Sequence, residues 1–224
     1  MAAATTTVFS QEEYFEILEK SEVKLEYRAG EIYTMWGEPI EERDGQLVTA
    51  ESGLPLFPPN NDIMAVSGAK PPHNIIAANL IGEFFDCLKR QGCYVYSSDQ
   101  LVRIEACDRN AFPDLAIVCE EPKYTKTKQG LDALTNPYIV IEILSKSTES
   151  YDRGEKYECY QTLESLKEYV LVSTKKRKIE VFARNTPHEW TLRIYDEENP
   201  LVKIGDCEIE LADIYRMVSL ETAS

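Results

Sequence analysis

The sequence predicts one α/β (α+β) domain over residues 1–224, in which a mixed β-sheet is flanked by helices. Its 224 residues, 43% of them hydrophobic, are enough for a substantial core. Stretches with helical periodicity are interspersed with short runs rich in Val, Ile and Tyr. Tyr138–Leu144 is a continuous apolar run broken by a single acid, as in a sheet covered on both faces.

The chain begins with a predicted helix and hairpin. Ser10 and Glu13 match the capping-box pattern, and apolar residues at helical spacing follow. We therefore expect a helix over residues 11–20. Leu25–Arg28 and Glu31–Met35 are expected to form two strands joined by a tight Ala-Gly turn.

Residues 37–67 are rich in Pro, Gly, Asn and acids. Their number exceeds the ~15 residues at which a connection without secondary structure becomes unusual. We expect an inserted arm, which could serve dimerisation or specificity. A longer helix is predicted over Pro72–Arg90, because apolar residues recur there at helical spacing until Gly92 ends the pattern.

The rest of the chain is predicted to be mainly strands. A helix ending near Leu163 interrupts them. The strand candidates are Tyr94–Tyr96, Gln100–Ile104, Leu115–Cys119, Tyr138–Leu144, Glu168–Ser173, Lys178–Ala183, Trp190–Tyr195 and Leu201–Ile204.

Cysteine and histidine usage argues against a zinc site or a disulfide framework. The six cysteines form no C-x-x-C pair, and only two histidines are present. A reducing cytoplasm is expected. Secretion and membrane insertion are disfavoured, because the start of the chain lacks a signal-peptide pattern and no stretch reaches the roughly 18 apolar residues of a membrane span.

The charge balance is unusual for a protein that binds nucleic acid. Twenty-four Lys and Arg against 39 Asp and Glu give a net charge of −15. The run Lys175–Lys178 is a local basic patch that could face phosphate, although such runs are most often polar hairpin tips. Binding to DNA through this patch is therefore expected to be weak.

Two acids and a lysine suggest a metal-dependent phosphodiesterase site. Asp114 and Glu142 lie in runs that otherwise indicate buried strands, where an unpaired charge costs several kcal/mol. Mg²⁺ takes hard oxygen ligands and usually only one or two protein carboxylates. An ammonium group could then orient water or offset developing charge, and Lys156 is the candidate for that role.

The position of Lys156 depends on where its helix begins. A start near Ser147 or Thr148 would place it ~12 Å along the helix axis, far from the strand end. We therefore expect a start at Asp152, with Glu155 completing an acidic analogue of the capping box, or a helix whose axis passes the site sideways.

Each residue also has a purely structural interpretation. Asp114 follows a proline, which is common turn chemistry, and Lys156 is spaced for an i, i+4 ion pair with Asp152 worth ~0.3 kcal/mol. Glu142 is harder to explain in this way. Taken together, the three residues favour a site.

Several segments resemble the Uma-two family of restriction endonucleases, within the PD-(D/E)xK nuclease superfamily. The resemblance covers most of the chain. It rests on Leu25–Tyr33 (LEYRAGEIY), Pro113–Val118 (PDLAIV) and Glu142–Thr148 (EILSKST) followed by Asp152, Lys156, Tyr157 and Tyr160, and continues through Glu168–Val172, Ile179–Phe182 and Leu211–Tyr215.

The resemblance implies a restriction-endonuclease-like core with metal ligands at Asp114 and Glu142. Glu26 matches the family's early acidic position and is the third expected ligand. The superfamily motif has its lysine two residues after the second acid, where this chain has Leu144, so the amine would come from Lys156.

The leading hypothesis is a Mg²⁺- or Mn²⁺-dependent DNA endonuclease, expected to be a homodimer because cutting both strands needs two sites. The first alternative is a nuclease-like scaffold that no longer cleaves and binds a protein or nucleic-acid partner. The second is a globular interaction protein whose acids are surface turns, which predicts that Glu142 points to solvent.

Overall fold

The structure is a computed structural model that describes residues 7–21, 23–35, 37–57, 70–127, 131–145 and 148–220. Strands and helices are interspersed along the chain, as the sequence predicts. The helices are α1 (Gln11–Lys20), α2 (Pro71–Arg90), α3 (Glu149–Arg153), α4 (Glu155–Tyr160) and α5 (Leu211–Ile214), with a 3-10 helix at Glu105–Cys107.

The strands form two larger sheets and two hairpins. They are β1 (Leu25–Arg28), β2 (Glu31–Thr34), β3 (Ile40–Arg43), β4 (Gln46–Thr49), β5 (Tyr94–Ser97), β6 (Val102–Ile104), β7 (Arg109–Ala111), β8 (Leu115–Val118), β9 (Tyr124–Lys126), β10 (Asp132–Leu134), β11 (Ile139–Leu144), β12 (Glu168–Ser173), β13 (Ile179–Thr186), β14 (Glu189–Tyr195), β15 (Leu201–Ile204) and β16 (Cys207–Glu210).

Sheet one has the strand order β2-β1-β7-β6-β10-β9, and sheet two has the order β14-β13-β12-β11-β8-β5. Among the described strands of sheet two, β11 and β12 are the only parallel pair, and α3 and α4 form the connection between them. The helix α2 packs on one face of sheet two through Ile76, Leu80 and Phe84. The hairpins are β3-β4 and β15-β16.

The strongest local patterns are confirmed. In α1, Ser10 and Glu13 make both hydrogen bonds of the capping box. The predicted hairpin is β1-β2, and Gly30 has a positive φ of 99° at its turn. The predicted long helix is α2, displaced by a single residue at its start.

The expectation that one helix begins at Asp152 is wrong. The chain forms α3 and α4 instead, and they meet at Gly154, whose φ of −108° and ψ of −105° belong to neither helix. Asp152 lies near the end of α3 and caps nothing in α4. The break places Lys156 in the first turn of α4. A start at Asp152 was expected for the same reason, because it keeps Lys156 close to the end of the preceding strand.

The expectation of no disulfide framework is also wrong. Cys87–Cys207, Cys93–Cys119 and Cys107–Cys159 are bonded, with Cα–Cα distances of 6.0, 4.1 and 5.9 Å. The partners are 26 to 120 residues apart in the chain, so only the tertiary fold reveals the pairing. Because disulfides are typical of oxidising compartments, cysteine usage no longer supports a reducing cytoplasm, which stays a prediction.

Part of the predicted arm is ordered secondary structure. Residues 37–57 contain the β3-β4 hairpin, and Ile40 and Leu56 are buried in a core cluster with Tyr14 and Phe15 of α1. The remaining residues of the arm, 58–67, lie outside the described residues. Its role in dimerisation or specificity stays a prediction.

The predicted basic patch lies at the tip between β12 and β13, where acids balance part of its charge. Lys175 is 2.6 Å from Glu149, and Lys178 is 2.8 Å from Glu180. Among the described helices, none is long and apolar enough to cross a membrane.

Candidate active site

The candidate site lies where the chain passes from sheet one to sheet two. Strand β7 belongs to sheet one, and Asp114 follows it directly before β8 of sheet two. Glu26 comes from β1, Glu142 from β11 and Lys156 from α4. The fold therefore brings together residues that are up to 130 positions apart in the sequence.

Strand alternation places Glu142 on the face of sheet two that α4 covers. Ile141 and Ile143 belong to the core cluster on the α2 side, whereas Val140 and Leu144 belong to the cluster that contains Tyr160 of α4. Because side chains alternate along a strand, Glu142 shares the face of the second cluster. Its side chain is buried, so the interaction-protein alternative, which required a solvent-facing Glu142, is wrong.

The same alternation explains the position of Glu26. Leu25 and Tyr27 pack in the core cluster beneath α1, so Glu26 points to the opposite face of β1. Glu26 is also buried, and Tyr151 of α3 donates a hydrogen bond of 3.0 Å to its Oε2.

Lys156 joins the two acids. Its Nζ lies 3.0 Å from Oε1 of Glu142 and 3.1 Å from Oε1 of Glu26. A third carboxylate, Asp152, lies 3.7 Å from the same nitrogen at the i, i+4 spacing. The i, i+4 ion pair between Lys156 and Asp152, which offered a structural interpretation of Lys156, is thus present. The two shorter contacts of Lys156, however, are to acids from different sheets.

The contacts of the ammonium group leave the acids incompletely satisfied. Oε1 of Glu26 and Oε1 of Glu142 are buried and have no hydrogen-bond partner among the described residues, although both are within ion-pair distance of Lys156. The contacts are ionic without hydrogen-bond geometry. Both oxygens face the ammonium nitrogen of Lys156, and carboxylate oxygens are also the donors that a hard cation prefers.

Protonation reflects the excess of negative charge. Burial raises the pKa of Glu142 well above its ordinary value, and burial raises the pKa of Asp152 to about 6. Burial lowers the pKa of Lys156, but Glu142, Glu26 and Asp152 outweigh it and raise the pKa well above its ordinary value. The lysine therefore stays charged, and the carboxylates compete for it.

Asp114 has a different set of partners. Its Oδ2 accepts a hydrogen bond of 2.6 Å from the backbone N–H of Ile143, and its Oδ1 lies 3.0 Å from Nε2 of His73 at the start of α2. Burial lowers the pKa of His73, but Asp114 outweighs it and raises the pKa overall. Asp114 is close enough to Glu142 for its charge to raise the pKa of that acid further.

The four predicted site residues thus come together in two neighbouring groups. Glu26, Glu142 and Lys156 share one cluster, while Asp114 is fixed beside it. Within the described part of the chain, no three His, Cys, Asp or Glu side chains converge closely enough to hold a metal ion. The predicted metal ligands therefore stay a prediction, although the all-oxygen donor set fits Mg²⁺.

The structure adds three residues to the four that are predicted for the site from the sequence. His73 contacts Asp114, and its side chain is only 19% exposed. Tyr151 and Asp152 reach the cluster because α3 precedes the break at Gly154. A helix–break–helix pattern around one glycine is the feature that could have revealed them.

A solved structure has the same fold. The crystal structure of a "putative nuclease belonging to DUF820" from Anabaena variabilis matches with a TM-score of 0.59 and 14% sequence identity, over 92% of this chain and 97% of that chain. The mixed sheets, with their flanking helices and the acids buried between them, define a protein of restriction-endonuclease-like fold, which confirms the predicted fold class.

The chain belongs to the Uma2 family, described as "Putative restriction endonuclease", whose model matches residues 54–211. The predicted resemblance is therefore confirmed. Asp114, Glu142 and Lys156 lie inside the matched range, and Glu26 lies outside it.

Two similar proteins come from Synechocystis sp. (strain PCC 6803). The uncharacterized protein slr1290 is 30% identical over 142 residues, covering 63% of this chain and 73% of that protein. The uncharacterized protein sll1609 is 24% identical over 209 residues, covering 93% of this chain and 99% of that protein. The second match includes almost the whole chain.

Proposed function

We propose that this protein is a divalent-metal-dependent DNA endonuclease. The observation that carries the proposal is the buried cluster in which three carboxylates share the ammonium of Lys156 and two of their oxygens find no hydrogen-bond partner in the part of the chain that the structure describes. Such an excess of buried negative charge calls for a further cation. Membership of the Uma2 family supports nuclease chemistry.

Glu26, Asp114 and Glu142 would hold Mg²⁺ or Mn²⁺ through carboxylate oxygens. When bound, the metal would polarise the phosphoryl group and lower the pKa of a water molecule. The buried ammonium of Lys156 would stabilise the negative charge that develops on the phosphate. Tyr151 would orient Glu26, and the backbone N–H of Ile143 together with His73 would orient Asp114.

The homodimer and the cytoplasmic location belong to the same proposal. Two copies would supply the two sites that cutting both DNA strands requires. With a net charge of −15, nonspecific attraction to DNA is weak, so local contacts at the site have to supply much of the affinity.

A second candidate is a scaffold that binds without cleaving. Leu144 stands where the superfamily has its lysine, and it is buried in the core cluster under α4. In this candidate Lys156 serves only to neutralise the acids of the fold. The scaffold predicts no affinity for divalent metal.

The test is nicking of supercoiled plasmid at low salt by the wild type and by Asp114→Asn, with Mg²⁺ or Mn²⁺. We expect the variant to lose at least about 100-fold in rate, because it loses a charged oxygen ligand. The matched control is Asp132→Asn, which alters an exposed acid of β10. If the wild type neither nicks DNA nor binds metal by calorimetry, the scaffold replaces the nuclease.

His73 offers a separate prediction. His73→Gln should lower metal affinity and the nicking rate about 10-fold or more, because Asp114 loses the partner that fixes its carboxylate. Calorimetry with Mn²⁺ measures the affinity. The control is His188→Gln, which alters the exposed histidine in the turn between β13 and β14. Equal affinities of the two variants would show that His73 does not position Asp114.

A further inference from the structure

Two arginines lie beside the acid cluster in an arrangement that neither the fold nor the acids explain. Arg28 of β1 and Arg109 of β7 are direct partners in the antiparallel register of sheet one. Directly opposed side chains share a face of the sheet, and like charges in that position are destabilising. The side chains are 14% and 8% exposed, so water screens the repulsion only weakly.

The donors of the two guanidinium groups are incompletely used. Nε of Arg28 and both Nε and Nη1 of Arg109 are buried without a hydrogen-bond partner among the described residues. Among the described residues, one acid, Glu155, lies within ion-pair range of both groups. Its Oε2 lies 3.7 Å from Nη1 of Arg28 and 3.9 Å from Nη2 of Arg109, within ion-pair range but beyond hydrogen-bond distance.

Aromatic rings hold the arginines in place. The guanidinium carbon of Arg28 lies 3.8 Å from the ring centre of Tyr33 and 3.4 Å from that of Tyr151, and Arg109 lies 5.3 Å from Tyr151. Tyr151 also donates its hydroxyl hydrogen bond to Glu26. One side chain thus connects the arginine pair with the acid cluster.

We propose that Arg28 and Arg109 form a binding site for a phosphate group of a nucleic-acid strand, and that the carboxylate of Glu155 occupies this site until the strand displaces it. Arginine pairs present several N–H donors to the oxygens of one phosphate. The side chain of Glu155 is 70% exposed and can move away. Arg28 lies two residues from Glu26 on one face of β1, about 6.6 Å along the strand.

That separation suits a phosphate next to the one at the acid cluster. The identity of the ligand rests on the proposed function, because a phosphodiester at the acids implies further phosphates along the same strand. Glu155 directly precedes Lys156 in α4, so release of its carboxylate would occur beside the ammonium group of the site.

The experiment measures binding of a short fluorescein-labelled DNA duplex by anisotropy, in EDTA and at low salt, so that cleavage plays no part. Glu155→Gln should tighten binding about fivefold, because it removes the competing carboxylate. Glu158→Gln is the matched control: it removes the same charge from an exposed position of the same helix. The control should change affinity less than about twofold.

Two further measurements identify the site. Adding Arg109→Gln to Glu155→Gln should abolish the gain, and inorganic phosphate should compete with the duplex more strongly in Glu155→Gln than in Glu158→Gln. Equal affinities of Glu155→Gln and Glu158→Gln would overturn the proposal, even if plasmid nicking establishes the nuclease. If the variants show the expected affinities but the wild type does not nick plasmid, the phosphate site is supported and only the proposed cleavage is contradicted.

Discussion

Replacing Lys156 by methionine should destabilise the fold by about 3–5 kcal/mol and abolish cleavage. Methionine retains an apolar chain of similar length but removes the only cation within ion-pair distance of Glu142 and Glu26 among the described residues. Breaking a buried ion pair by removing one partner leaves uncompensated charge in a low-dielectric interior, which is the origin of this cost. Cleavage would be lost because the ammonium group is gone from the reacting phosphate.

Urea denaturation of the wild type and Lys156→Met measures this loss. Lys167→Met is the control, since it removes an exposed ammonium group and should change the free energy of unfolding by less than about 0.5 kcal/mol. A similarly small change for Lys156→Met would show that the cluster does not depend on its lysine.

Divalent metal should reverse part of the loss in Lys156→Met. The acids of the variant no longer share an ammonium group, and a divalent cation can take its place beside them. Saturating Mg²⁺ or Mn²⁺ should therefore stabilise the variant more than the wild type. Ligand present at about 100 times its Kd adds about 2.7 kcal/mol. The same stabilisation of both proteins would place metal binding away from Lys156.

Features governed by neighbouring residues could be predicted from the sequence. The capping pair Ser10 and Glu13 defines the start of α1 because both hydrogen bonds form within one turn. Glu142 stood out because it interrupts an apolar strand, and burial makes such an acid expensive wherever the strand lies.

Features that depend on distant pairing could not be predicted in this way. The strands β7, β9 and β10 have three residues each, and they are strands because they pair with neighbouring strands in sheet one. The contact of His73 with Asp114 depends on how α2 packs against sheet two. The break at Gly154, which replaces one expected helix by two, is by contrast a local feature that the glycine itself could have indicated.

Geometry also decides what the acids of the site have in common. Glu26 of β1 and Glu142 of β11 come from different sheets, and they meet because the two sheets lie side by side there, close to Asp114 at the passage from β7 to β8. The sequence supplies the three acids, while α4 provides two of them with a shared cation and α2 provides the third with a histidine. The packing of these helices against the two sheets therefore determines the chemistry available to the site.

Replacing Glu142 by glutamine should have the opposite effect on stability. Three carboxylates face one ammonium group, so the cluster has an excess of negative charge. Glu142→Gln reduces this excess, whereas Lys156→Met increases it. Because burial raises the pKa of Glu142, its ionised form is disfavoured in the fold relative to the unfolded chain. We expect the free energy of unfolding to stay within about 1 kcal/mol of the wild type or to rise, while nicking falls at least about 100-fold.

The dependence of stability on pH follows from the same shift. A carboxyl group whose pKa is higher in the folded state than in the unfolded chain binds more protons when folded, so its contribution to stability declines as the pH rises from about 4, the ordinary range of a glutamate. Glu142→Gln lacks this group and should lose less stability than the wild type over that rise. Urea titrations at several pH values measure the difference, and parallel curves would contradict it.

The double variant Glu142→Gln/Lys156→Met completes the test. If the two groups interact as the 3.0 Å contact indicates, the double variant should be more stable than the sum of the two single effects predicts, because fewer buried charges lack a partner than in Lys156→Met. Its nicking rate should be similar to the rates of the two single variants, because each single change already abolishes most of the cleavage. Strictly additive effects of the two changes on the free energy of unfolding would mean that Glu142 and Lys156 contribute independently and that the cluster is not one unit.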